Sequence, residues 1–158
     1  MTDQTSDKPQ RLYTRLWSRV YQVLFWGYTT VLIWELFLGK YRPHGGPRRY
    51  SLAPLKTIAG YIENYESFGV SIILINLAGN IVAFMPLGFL LPLVFKSTGS
   101  LIVITRITLL TSITAEICQY IFNVGCLDID DVLLNTIGGV LGYLIYILVG
   151  IRNKPFLI

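Results

Sequence analysis

Charge is what this chain is shortest of: 14% of its 158 residues are Asp, Glu, Lys or Arg, against 53% hydrophobic. A soluble domain carries closer to a quarter charged residues, so the composition favours a membrane class before any segment is considered. Histidine is scarcer still. The one present, His44, sits in a Pro/Gly-rich loop and reads as a solvated residue rather than a ligand. The two cysteines, Cys118 and Cys126, have no partner cysteine or histidine at ligand spacing, which argues against a disulfide framework and a thiolate metal site. The formal charge is +4, but no basic block is interleaved with aromatics, so nucleic acid is not an expected partner. A small-residue cleavage site is also missing, so the late first apolar run reads as an uncleaved anchor.

What the chain has in quantity is long apolar runs. A bilayer span needs about 20 largely apolar residues, and four segments qualify: 17–38, 69–95, 101–124 and 129–151. The expectation is an all-α polytopic membrane protein, four transmembrane helices in a compact antiparallel bundle, forming one domain over 1–158. Residues 1–16 read as a flexible cytoplasmic N-terminus. The second span contains Pro86, Gly88 and Pro92, which predict a tilt or kink near its end. Lys8, Arg11, Arg15, Arg19, Lys96, Arg152 and Lys154 would share one side, and Lys40, Arg42, Arg48, Arg49 and Lys56 the other. The larger set marks the cytoplasm and puts both termini there, in a multi-pass cell-membrane protein. In the long first external loop, residues 41–47 must be irregular. Leu55, Ile58, Ala59, Ile62 and Tyr65 then recur at helical spacing. They predict a short interfacial helix with Tyr61 and Tyr65 at headgroup depth.

Polar groups inside spans are costly and turn toward the bundle interior or a wet cavity. In the third span Thr105, Thr108, Ser112, Glu116, Gln119 and Asn123 recur at steps of three and four, forming one narrow stripe. Hydroxyls alone would signal helix packing. Glu116 goes further, since a buried acid costs roughly 2.5–3.5 kcal/mol at a helix centre unless paired, hydrated or protonated. The fourth span opens with Asp128, Asp130 and Asp131 and continues to Asn135, with Gly138 and Gly142 set for close helix contact. An N-cap role accounts for Asp128, but not for three acids together. Asn76 and Asn80 share a side of the second span. Counted at 1.5 Å per residue, Asn76, Glu116 and Asn135 all lie roughly 10 Å below the outer surface. Glu116, Gln119, Asp131 and Asn135 are therefore expected to converge on one outward-facing polar cavity, with Asn76 or Asn80 on its wall, Asp128 above, and Glu35 able to join.

These same stretches resemble a known family. NLAGNIVAFMPLGFLLP at 76–92, EICQ at 116–119, DIDDVLLNTIGG at 128–139 and RYSLAPLKTI at 49–58 are similar in order and spacing to the VanZ-like family. The likeness covers residues 49–142. It implies a membrane protein linked to reduced susceptibility to glycopeptides, teicoplanin above all. It supplies no catalytic assignment.

Three functions compete. In the first, the cavity binds an envelope lipid, a peptidoglycan precursor or a lipoglycopeptide through Asn76, Asn80, Glu116, Gln119, Asp128, Asp131 and Asn135. Arg48 and Arg49 would meet phosphate at the rim. In the second, the protein is an intramembrane hydrolase or transferase with Glu116 and Asp131 as acid/base pair. No Ser–base dyad and no placed histidine support it. In the third, the polar groups satisfy one another in a scaffold. No cofactor is expected, a divalent cation on Asp128, Asp130 and Asp131 being the one candidate.

Overall fold

A computed structural model describes residues 7–39 and 47–150. His44, most of the irregular segment 41–47, and the basic residues Arg152 and Lys154 lie outside the described residues. The chain runs α1 (Asp7–Leu38), β1 (Arg49–Ser51), α2 (Lys56–Glu63), α3 (Tyr65–Phe68), α4 (Val70–Val94), a 3-10 turn (Lys96–Thr98), α5 (Leu101–Phe122), β2 (Cys126–Asp128) and α6 (Ile129–Leu148).

Three of these helices, α4, α5 and α6, are long and apolar enough to cross a membrane, and they pack together. The 32-residue α1 is longer but more polar, with Arg11, Arg15 and Arg19 in its first half. It begins at Asp7, so residues 7–16 of the segment read as flexible are helical. Pro9 falls in the first turn, where its missing N–H is no loss. The Leu- and Tyr-containing turns that follow continue the helix without a break.

α4 stays helical through Pro86 and Pro92. Proline at 86 cannot donate to the carbonyl one turn back, and Tyr28 Oη of α1 donates to the adjacent Ala83 carbonyl at 2.7 Å. Phe84, Leu87, Leu90 and Leu91 of α4 form the core with Phe25 and Leu32 of α1, Ile104 of α5, and Tyr143 and Tyr146 of α6. The tightest approach is between α4 and α6. A Cβ at Gly138 would clash with the Ile81 carbonyl, one at Gly142 with the Met85 carbonyl, and one at Gly88 with the Gly139 carbonyl. Glycines thus set how near the two backbones run, the close contact predicted for the Gly138/Gly142 pair.

Among the described residues the departure from an all-α chain is one two-stranded parallel pair. β1 lies beside β2 with Arg49 opposite Cys126, Tyr50 opposite Leu127 and Ser51 opposite Asp128. This pairing carries the segment after α1 over the α5–α6 turn. Asn123 ends α5 in the left-handed conformation (φ 55°), which an Asn tolerates better than most residues. Arg48 Nη2 donates to the Ile121 carbonyl at 3.3 Å and its guanidinium lies over the Tyr120 ring, 5.7 Å from the centroid. Arg48 thus serves the exposed carbonyl end of α5 rather than a rim phosphate.

Candidate ligand cavity

Asp128 ends β2 and starts α6. Its Oδ1 accepts from the Asp130 N–H at 2.9 Å, the N-cap bond expected of an acid there. Its Oδ2 accepts from the Thr57 hydroxyl at 2.6 Å, and its own backbone N–H donates to Glu116 Oε2 at 2.9 Å. Behind this strand the α5 stripe does face inward: Thr108, Ser112, Glu116 and Gln119 are all buried. Ser112 Oγ accepts from Asn135 Nδ2 at 2.9 Å, and Gln119 Nε2 donates to the Leu36 carbonyl at the end of α1, at 2.9 Å.

Asp130 is fully buried, and its carboxylate leaves α6 altogether. Oδ1 accepts from the Leu55 N–H at 2.5 Å, and Oδ2 from the Thr57 and Ile58 N–H groups at 2.8 and 3.1 Å. The first turn of α2 has no acidic residue and no side-chain cap of its own. Asp130 supplies both, an anion at a helix N-terminus holding donors that would otherwise be orphaned. Leu55 adopts a left-handed backbone (φ 64°), uncommon for a branched aliphatic residue, and its N–H joins the others on that carboxylate.

Asp131, the third acid, turns toward α4, where its Oδ1 accepts from Asn80 Nδ2 at 2.5 Å. The three acids coexist because each is held by a different set of donors. Of the cation candidates, Asp128 and Asp130 are thus directed to α2, where both are held by Thr57, and Asp131 to Asn80 of α4. Among the described residues no group of three His, Cys, Asp or Glu side chains is arranged to hold a metal ion.

A cavity of about 700 Å³ opens between these elements. Its polar lining is Glu35 from α1, Arg49 and Ser51 from β1, Thr57 and Tyr61 from α2, Asn76 and Asn80 from α4, and Cys126, Asp128 and Asp131 from the β2–α6 corner. Leu32, Leu36, Leu77, Ala83, Phe84 and Leu134 add an apolar side. Five of the nine residues singled out as ligand contacts line it: Arg49, Asn76, Asn80, Asp128 and Asp131. Arg48, Glu116, Gln119 and Asn135 do not. Depth put Glu116 and Asn135 at the level of Asn76, where Gln119 and Asp131 were expected to converge on them. Instead Glu116 accepts from the Asp128 N–H of β2, and Gln119 and Asn135 donate to the Leu36 carbonyl and to Ser112. Glu116 and Asp131 thus do not face one opening as an acid/base pair would.

Sequence reading missed Ser51, Thr57, Tyr61 and Cys126 as lining residues. Tyr61 carried a signal as an aromatic of the expected interfacial helix, whereas a three-residue strand carries none. Burial pushes the Tyr61 hydroxyl above its ordinary range, with Asp131 and Asp128 adding to the effect. The Cys126 thiol is also raised, first by burial and then by Asp128, with Arg49 opposing. A raised thiol holds less thiolate at neutral pH. In a Cys118→Ser variant, Cys126 should therefore be alkylated several-fold more slowly than glutathione at pH 7.5, the gap narrowing as pH rises. Equal rates at pH 7.5 would contradict the buried, acidic setting.

The VanZ/LLP1 family model matches residues 21–150. Protein VanZ of Enterococcus faecium is 44% identical over 75 residues, which cover 48% of this chain and 44% of that protein. The chain thus aligns to less than half the length of that curated relative. No solved structure matches it significantly. With the family's pattern running over most of the chain, the protein belongs to the VanZ/LLP1 family.

Proposed function

We propose that this protein crosses the cell membrane four times with both termini in the cytoplasm. The cavity is then an outward-facing site for an envelope lipid, a peptidoglycan precursor or a lipoglycopeptide, and its occupancy lowers susceptibility to glycopeptides such as teicoplanin. Residues 17–38 of α1 supply the fourth crossing: at 1.5 Å per residue they extend about 33 Å, enough for the hydrocarbon core. Arg11, Arg15 and Arg19 hold the start of α1 on the cytoplasmic side. In this orientation α2 lies along the outer interface, and Tyr61 and Tyr65 sit at headgroup depth.

The observation that carries the reading is a polar cavity at one end of an otherwise apolar bundle. Its volume is in the range of small-molecule sites. A scaffold needs its polar groups to bond one another, as the Asn135 amide N–H and the Ser112 hydroxyl do, and has no need of such an opening. Membership of the VanZ/LLP1 family supports the link to glycopeptides.

Orientation is tested on intact cells with a membrane-impermeant maleimide. The Cys118→Ser variant should label at Cys126 from outside, and labelling only after lysis would reverse the orientation. Function is tested in a glycopeptide-susceptible host expressing the protein. Asp131→Asn and Arg49→Ala should abolish tolerance at unchanged membrane levels. Glu116→Gln lies off the cavity and still offers an oxygen to the Asp128 N–H, so it should retain tolerance. Full tolerance in Asp131→Asn at normal levels would leave the scaffold reading standing.

A further inference from the structure

Among the described residues the cavity's charge is unbalanced: Glu35, Asp128 and Asp131 face Arg49 as the one cationic lining residue. The Tyr61 hydroxyl, raised first by burial, is raised further by Asp131 and Asp128, which share the lining with it. An anionic head would be repelled by three carboxylates, whereas a cation would be drawn in. The remaining polar lining is amide and hydroxyl: Asn76, Asn80, Ser51 and Thr57. Such groups accept hydrogen bonds from N–H donors. Recognition of a quaternary ammonium relies instead on a cage of aromatic faces, and among the described residues Tyr61 and Phe84 are the aromatic lining residues. The lining also has a hydrocarbon share: Leu32 and Leu36 of α1 and Leu77, Ala83 and Phe84 of α4, two helices packed on each other, contribute to it beside the polar groups.

Resting on the outward-facing binding reading, we propose that the ligand is an amphiphile with a zwitterionic, primary-ammonium head. Its ammonium sits at Asp131 with Glu35 across from it, its anionic group meets Arg49, and its apolar tail lies along the α1–α4 side. A carboxylate accepts several donors at once, so an ammonium can join the Asn80 amide at Asp131. Arg49 is exposed at the opening, where a guanidinium can take two oxygens of a phosphate.

The test uses the full-length protein in detergent micelles, with lipid binding followed by native mass spectrometry. The probes are dioleoyl-phosphatidylethanolamine, dioleoyl-phosphatidylcholine, dioleoyl-phosphatidylglycerol and free phosphoethanolamine. The ethanolamine lipid should bind about ten-fold tighter than either other lipid, the worth of one charge-assisted hydrogen bond. Asp131→Asn should remove that preference while leaving the thermal midpoint in place. Equal binding of the ethanolamine and choline lipids by the wild type overturns the proposal without any variant. A preference for the glycerol lipid overturns it as well, and so does a preference unchanged in Asp131→Asn. Competition by free phosphoethanolamine as strong as that of the lipid would overturn the amphiphile in favour of a water-soluble amine. If Asp131→Asn abolishes tolerance while the wild type does not separate ethanolamine from choline, the ammonium assignment falls and the cavity reading stands. Ethanolamine selectivity with full tolerance in Asp131→Asn separates them the other way.

Discussion

Asp130→Ala is expected to lower stability by on the order of 3–5 kcal/mol, because it leaves three N–H groups of one turn without their acceptor. Those donors belong to Leu55, Thr57 and Ile58, and α2 has no cap of its own to replace the carboxylate. Leu55 would also keep its left-handed backbone without the bond that accompanies it. Asp130→Asn should be nearly as damaging, since its amide group turns a donor toward donors. The loss should be concentrated at α2. Trypsin should cut after Lys56 much faster in either variant, and the thermal midpoint in detergent should fall by on the order of 10 °C. Unchanged protection at Lys56 would mean that α2 is held by something other than this carboxylate.

Gly142→Leu should be comparably severe for a different reason. A Cβ there would enter the Met85 carbonyl and crowd the Phe89 N–H, so relief requires the α4 backbone to move away. Backbone cannot step aside as a flexible side chain can, and the displaced contact runs through Gly88 and Gly139 one turn along. Overpacking of this kind costs about 1–3 kcal/mol in cores that can still adjust, and more is expected here. Gly138→Leu should act likewise against Ile81. The matched control is Gly27→Leu on α1, where nothing lies within 4 Å of the added Cβ. Thermal melting of the three purified variants decides it: Gly142→Leu and Gly138→Leu should melt well below wild type and Gly27→Leu near it. Equal midpoints would mean that α4 and α6 do not run in contact at these residues.

How far the sequence could be read depended on whether a feature was local. Apolar run length gave the boundaries of α4, α5 and α6 to within a few residues, because a helix in lipid satisfies its backbone internally. Periodicity turned the Thr108–Ser112–Glu116–Gln119 stripe inward, and the Asp128 cap followed from its place before an apolar run. The role of Asp130 was illegible for an equally physical reason. An N-cap role accounts for Asp128 alone, so Asp130 stood with Asp128 and Asp131 as one cation candidate. Its partners are backbone N–H groups more than 70 residues earlier in the chain. Backbone donors leave no mark in a side-chain pattern. The parallel pairing of β1 with β2 was hidden for the same reason, three residues being too short for a period. That pairing decides which acids reach the cavity. It sets the Asp128 backbone beside Glu116, whose carboxylate accepts from the Asp128 N–H, while Asp131 lines the cavity.

The central claim, that the opening walled by α1, α2, α4 and the β2–α6 corner is an occupied binding site, is tested most directly by an experimental structure of the full chain in lipid nanodiscs. The expected result is ordered density between Arg49, Tyr61, Asn80 and Asp131, continuing along Leu32 and Phe84, with α2 held on Asp130. A closed corner with Arg49 laid against Asp131, Tyr61 filling the space and no room for a ligand would contradict it.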